Sequence, residues 1–150
     1  QLPLLAQRVA RWQGLYRALE AGLGGITGLA LVARPKAEHF APSSFQFLLP
    51  AWSGARIGAF LARCAARGVE LKWFGAPDPV AFTSRYDHWH YAGAQTCPQT
   101  DAVLAGLIDM RLPLTFSLDD AAQIARIIRA EALAVGQGPE PEAAVLPDIQ

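Results

Sequence analysis

Residues 44–74 read SFQFLLPAWSGARIGAFLARCAARGVELKWF, and this stretch decides the fold. Phe45, Phe47 and Leu49 alternate with Ser44, Gln46 and Leu48 before Pro50 ends the run, which predicts a strand. Ser53 is placed to cap a helix, in which Ile57, Phe60, Leu61 and Cys64 share one face. Gly68 closes that helix. The chain then alternates again, with Val69, Leu71 and Trp73 on one side of a second strand and Glu70, Lys72 and Phe74 on the other. The segment therefore predicts a strand, a helix and a second strand that needs a sheet around it.

Upstream, Leu2, Leu5, Val9, Trp12, Tyr16 and Leu19 recur at spacings of three and four, a helical stripe that ends at Gly22, Gly24 and Gly25. A stripe this large and aromatic is expected to pack on the core and on a partner as well. A short strand is expected over Leu29–Val32. Downstream, Pro98 suits the first turn of a helix running to Leu107. Met110–Thr115 reads as a strand whose Pro113 places it near an edge. Ser117-x-x-Asp120 resembles a capping box ahead of a last helix with Leu118, Ala121, Ile124, Ala125 and Ile128 on its apolar face. The expected fold is α+β: a mainly antiparallel sheet of about three strands covered by helices and preceded by a long helix. Residues 1–24 form the connecting helix, 25–134 the small domain and 135–150 a flexible tail, since Gly136-Gln-Gly-Pro-Glu-Pro-Glu142 resists packing. The start at Gln1, without a methionine, reads as that of a piece of a longer protein.

Composition bounds the function. At 150 residues, with 52% hydrophobic and 17% charged side chains, the chain builds one core and is not disordered. Thirteen basic and 13 acidic residues cancel, which removes the footprint of a nucleic-acid or anionic-membrane binder. No apolar run reaches membrane-spanning length. Cys64 and Cys97 match neither a metal spacing nor a disulfide framework, so a reducing cytoplasm is the expected compartment.

The stretch from Gly75 to Thr96 holds no period and carries Phe82, Tyr86, Trp89 and Tyr91 together with Arg85, His88 and His90. A loop of this length and aromatic content in a small domain is expected to be functional. Arg85 is its best polar candidate, because a planar guanidinium among aromatics suits a carboxylate or phosphate. The alternative for Arg85 is a salt bridge to Asp87. Lys72 and Phe74, on the strand face opposite Trp73, are the other candidates for contact with a ligand. His88 and His90 lack the second ligand pair that a metal site needs, and no metal is expected.

Taken in order, these pieces resemble the C-terminal small domain of the DegT/DnrJ/EryC1/StrS aminotransferases, which use pyridoxal 5'-phosphate (PLP) and have fold type I. The resemblance runs from Arg8 to about Ala132. It rests on Arg63-x-x-x-Arg67-Gly68-Val69-Glu70, on Cys97-Pro98 and on Met110-Arg-Leu-Pro-Leu-Thr-Phe-Ser-Leu-Asp-Asp120. It implies an amino-group transfer from an amino acid to a keto-sugar or related polyol, in a cytoplasmic homodimer whose lysine holds the cofactor covalently. That lysine belongs to the family's large domain, in a context that neither Lys36 nor Lys72 matches. The resemblance therefore implies no catalytic or cofactor-binding residue in this chain, which alone is expected to bind no PLP and to be inactive. The residues expected to bind substrate are Lys72, Phe74, Arg85, His88 and His90. A sugar dehydratase of the same superfamily, or a free-standing ligand-binding or interaction module without chemistry, are the other readings the sequence admits.

Overall fold

The computed structural model describes residues 2–79, 85–91 and 93–138. After one 3-10 turn at Leu2–Leu4, the elements are α1 (Leu5–Leu23), β1 (Ala30–Leu31), β2 (Ser44–Leu48), α2 (Gly54–Ala66), β3 (Lys72–Trp73), α3 (Pro98–Leu104), β4 (Leu107–Arg111) and α4 (Leu118–Gln137). They form an α+β fold with one four-stranded antiparallel sheet of order β1-β2-β4-β3. No described helix is long and apolar enough to cross a membrane.

The residues that close α2 do so by local geometry. Ser53 accepts the Arg56 amide at the N-terminus. At the other end Gly68 adopts φ +81°, its amide reaches the Ala65 carbonyl, and Val69 reaches back to Cys64. That pair of reversed bonds needs a left-handed residue between them, and glycine supplies it without strain. The expected strand–helix–strand unit forms, with β2 and β3 parallel to each other. They are not neighbours, because β4 lies between them and pairs antiparallel with both. This is a split βαβ arrangement.

Two sequence expectations are corrected here. The last strand is Leu107–Arg111, three residues earlier than the expected Met110–Thr115, and it is interior rather than near an edge. Pro113 lies beyond it. Leu112 to Phe116 is held by side chains of α1 instead: Trp12 donates to the Leu112 carbonyl at 2.8 Å, and Arg11 donates to the carbonyls of Leu114 at 2.8 Å and Phe116 at 3.0 Å. Those carbonyls are thus satisfied without a ladder. α3 accordingly stops at Leu104 instead of Leu107, so that Gly106 can lie against the backbone of Leu49. Gly22 is the second correction: it does not stop α1, which continues to Leu23. A Cβ on Gly22 would sit 2.5 Å from that of Ala125, so this glycine permits the close approach of α1 and α4.

The helices cover one face of the sheet. Phe45 and Phe47 of β2 and Ile108 and Met110 of β4 are buried beneath them, while the alternate positions are half-buried or exposed on the other face. An aromatic series crosses this core. Tyr16 packs on Phe45 at 4.8 Å, Phe45 on Phe47 at 6.3 Å, Phe47 edge-on to Phe60 at 6.4 Å, and Phe60 edge-on to Trp52 at 5.6 Å. α1 and α4 run side by side in the same direction, with Arg129 donating to the Gly22 and Gly24 carbonyls that α1 leaves open. α4 carries the expected capping box between Ser117 and Asp120, which also holds the Asp120 carboxyl below its usual range. The stripe of α1 is buried at Tyr16 and Leu19, half-buried at Val9 and Trp12, and about half exposed at Leu5 (51%), next to an equally exposed Leu4 (49%) in the preceding turn.

α2 and α4 run in opposite directions and are joined by a buried carboxylate. Glu131, 6% exposed, accepts from Arg63 and, at 2.8 Å, from Arg67. Arg67, then Arg63, hold this carboxyl below the usual carboxylate range. A depressed folded pKa adds stability above the unfolded value, and that stability is lost as pH falls through the folded one. Glu131→Gln is expected to lower stability at pH 7 by about 2 kcal/mol, the scale of lost charged hydrogen bonds. Below the ordinary carboxylate range the difference from the wild type should shrink. Urea unfolding of both proteins at pH 7 and at pH 3 checks this, and a gap that stays constant across the two would contradict it. Burial, with Glu131 adding to it, pushes the Cys64 thiol up to about 12. In thiol titrations of the folded chain, Cys97, which is half-buried and unpaired, should react first and Cys64 only on unfolding.

Candidate functional site

A concavity lies where β3 leaves the sheet. Its pairing with β4 covers only Lys72↔Asp109 and Trp73↔Ile108, and residues 69–71 run on from the Gly68 turn without it. The register would otherwise have continued onto Met110 and Arg111. A groove of about 940 Å3 opens beside this segment, with Leu61, Met110, Phe116 and Ile124 among its apolar lining. Four charged residues, Glu70, Lys72, Asp109 and Arg111, also line it. Two positive and two negative groups over an apolar lining suit a ligand that is polar, of mixed charge and partly apolar, more than a bare phosphate.

Of the residues singled out in the sequence, Lys72 and Phe74 come together here. The Lys72 ammonium lies 5.3 Å from the centroid of the Phe74 ring, and Lys72 stands opposite Asp109 in the ladder. Asp109 also accepts from Gln46 at 3.1 Å, so a polar row runs across three strands of the uncovered face. Trp73, on the other side, donates from its indole to the Ala105 carbonyl at 2.9 Å. Asp109 and Arg111 are the lining residues that sequence reasoning missed. The signal was present: Leu107, Asp109 and Arg111 alternate with Ile108 and Met110, which is legible once the strand is begun at Leu107.

Arg85, His88 and His90 are placed in a neighbouring loop, and none of them lines the groove. The Arg85 guanidinium is engaged by Asp87, with Nε 2.9 and 3.2 Å from its two carboxylate oxygens. This pairing holds the Asp87 carboxyl below its usual range. Tyr86–His88 makes one helical turn, and the Tyr86 hydroxyl donates to Asp101 at 3.0 Å while accepting the Cys97 amide at 3.2 Å. The His88 ring donates from Nε2 to the Pro77 carbonyl at 3.0 Å. His90 is exposed. Phe82, Thr83 and Ser84 lie outside the described residues. Among the described residues, no group of three His, Cys, Asp or Glu side chains is arranged to hold a metal.

The whole arrangement has counterparts. An aminotransferase, TlmJ from Streptoalloteichus hindustanus, superimposes with a TM-score of 0.73 at 16% identity over 89% of this chain and 34% of its own. A 3-amino-5-hydroxybenzoic acid synthase gives 0.68 at 22% identity, over 89% of this chain and 36% of that one. A DegT DnrJ EryC1 StrS aminotransferase from Brucella abortus gives 0.61 at 17%, over 86% and 32%. The chain shares its fold with about a third of each of these proteins. No protein-family model and no curated protein matches the sequence. The chain spans about a third of the length of the structures it resembles.

Among the described residues, none is arranged as a PLP site needs. Lys36 is an exposed residue of the connection between β1 and β2, and Lys72 is placed between Phe74 and Asp109. The glycines at the end of α1 present carbonyls, and Arg129 already occupies those of Gly22 and Gly24. An anion cradle needs amides at a helix start. At the starts of α2 and α4, Ser53 and Ser117 already accept first-turn amides.

The Tyr86 hydroxyl joins the loop to α3 through two bonds, so Tyr86→Phe should loosen this junction. Hydrogen exchange at the Cys97 amide is expected to quicken by roughly fivefold, with protection in the core strands unchanged. An unaltered Cys97 rate would show that the loop is held by other contacts.

Proposed function

We propose that this chain is the small domain of a PLP-dependent aminotransferase that moves an amino group from an amino acid to a keto-sugar or related polyol, in a homodimer. The cofactor is then held by a large domain outside these 150 residues. The observation that carries the reading is the sheet order β1-β2-β4-β3, helix-covered on one face, in a fold shared with aminotransferases over most of the chain. The exposed start of the α1 stripe supports it, because apolar residues at Leu4 and Leu5 suit a further surface packed against them. Lys72 and Phe74 in the groove, with Arg85, His88 and His90 in the adjoining loop, form the substrate side of this domain. Asp109 and Arg111 join that set.

A second reading, a ligand-binding module without chemistry, is favoured by one observation: the described residues do not assemble a PLP site. The two readings part in a direct experiment. The 150-residue chain mixed with PLP should show no stoichiometric absorbance band of lysine-bound cofactor after gel filtration. The longer protein that contains this segment should show the band, and should lose it when supplied with an amino donor. A band retained by the short chain and abolished by Lys72→Ala would overturn the assignment of the cofactor to another domain. A longer protein without the band would overturn the aminotransferase reading itself.

A further inference from the structure

Along an antiparallel strand the main-chain bonds point to the two neighbours in alternation. Two bonds that flank the β2–β4 ladder, from the Leu49 amide to the Gly106 carbonyl and from the Leu112 amide to the Ser43 carbonyl, both 2.9 Å, turn the even-numbered residues of β4 toward β2. On the other side the Phe74 amide donates to the Leu107 carbonyl at 2.9 Å, which turns residues 107, 109 and 111 toward β3. The amide and carbonyl of Arg111 therefore point to where residues 69–71 have left the sheet. Among the described residues neither has a partner there.

A matching residue lies in register. Continuing from Lys72↔Asp109, Glu70 is the residue that would stand opposite Arg111, in the class of pair that exchanges two main-chain bonds. The two side chains carry opposite charges, a favoured combination across an antiparallel ladder. Glu70-Leu71-Lys72 contains no Gly or Pro to oppose extension. What holds the segment away lies at its other end. Val69 donates to the Cys64 carbonyl at 3.0 Å and Gly68 to the Ala65 carbonyl at 2.9 Å, which ties the segment to the end of α2. Arg63 and Arg67 fasten that end of α2 to the buried Glu131 of α4.

We propose that residues 68–71 are a strap that closes the groove by pairing Glu70 with Arg111, and that Glu131, a positioning residue, holds the strap open through Arg63 and Arg67. Two packings of the same four residues compete. One keeps the reversed bonds to α2, and the other exchanges them for two ladder bonds and an ion pair. In the second the concavity of about 940 Å3 narrows, because residues 69–71 and 110–111 both line it. The groove at the sheet edge is thus opened or shut from the helical side of the domain. The inference rests on strand pairing alone and stands or falls apart from either reading of the function.

Amide hydrogen exchange, read residue by residue by NMR in the wild type and in Glu131→Gln, tests this. The wild-type Arg111 amide should exchange fast. In Glu131→Gln it should slow by about fivefold or more as the closed packing gains population, while the Val69 amide, released from Cys64, quickens. A purely structural loss would quicken both, so the opposite signs separate the strap from simple loosening. The Ile108 amide, which faces β2, reports whether the sheet is intact. Should Glu131→Gln not fold, Arg67→Gln, which leaves Arg63 on Glu131, carries the same test. Adding Glu70→Lys to either variant sets like charges opposite each other and should return the Arg111 rate to that of the wild type. An Arg111 amide already protected in the wild type, one that does not slow in the variants, or slowing that survives Glu70→Lys would overturn the proposal.

Discussion

Everything in this domain depends on β4 entering the gap that the crossover from β2 through α2 to β3 leaves open. Two parallel strands joined by one helix cannot bond to each other across the width of a third strand. Their inward-facing amides and carbonyls need a partner that arrives later in the chain. Leu107–Arg111 is that partner, and its full length pairs with β2. Its pairing with β3 lasts only two residues. The groove is a consequence of this asymmetry: β4 and the covering helices go on while β3's neighbour segment has turned away toward Gly68. The same insertion places Asp109 between Gln46 and Lys72, so the polar row on the uncovered face is assembled from three strands by a single topological step.

Much of the fold was legible because its signals are local. The cap at Ser53, the left-handed turn at Gly68, the capping box at Ser117 and the alternation of Phe45 and Phe47 each act within a few residues, and each stands where the sequence puts it. What was misread depends on distant partners. Leu112 to Phe116 has the composition of a strand, but its carbonyls are taken by Trp12 and Arg11 from the far end of the chain. Gly22 has the composition of a helix stop, yet it serves contact with Ala125. No window of neighbouring residues contains that information.

The candidate site divides along the same line. Lys72 and Phe74 were legible because strand alternation alone puts them on the face opposite Trp73. Asp109 and Arg111 alternate legibly along their own strand, but their place beside Lys72 follows from register between strands 37 residues apart, as the pairing of Lys72 with Asp109 shows. Arg85 was read as a ligand for an anion on its chemistry, with a salt bridge to Asp87 as the alternative. The structure forms that salt bridge, two residues on.

Electrostatics also separates the part of the domain that is held fixed from the part that is open. Glu131 is buried between two helices with two arginines, whose own side chains remain 55% and 45% exposed. The desolvation cost therefore falls mainly on one carboxylate, while the guanidinium groups keep much of their water, the arrangement in which a buried charge is most readily offset. Cys64 beside it, with its thiol pushed up, behaves as a small apolar core residue. The groove carries its charges differently. Lys72 and Arg111 lie with Glu70 and Asp109 around an open concavity, where water screens each of them and a ligand can replace that water. The helical side of the sheet can thus be rigid while the opposite edge stays receptive.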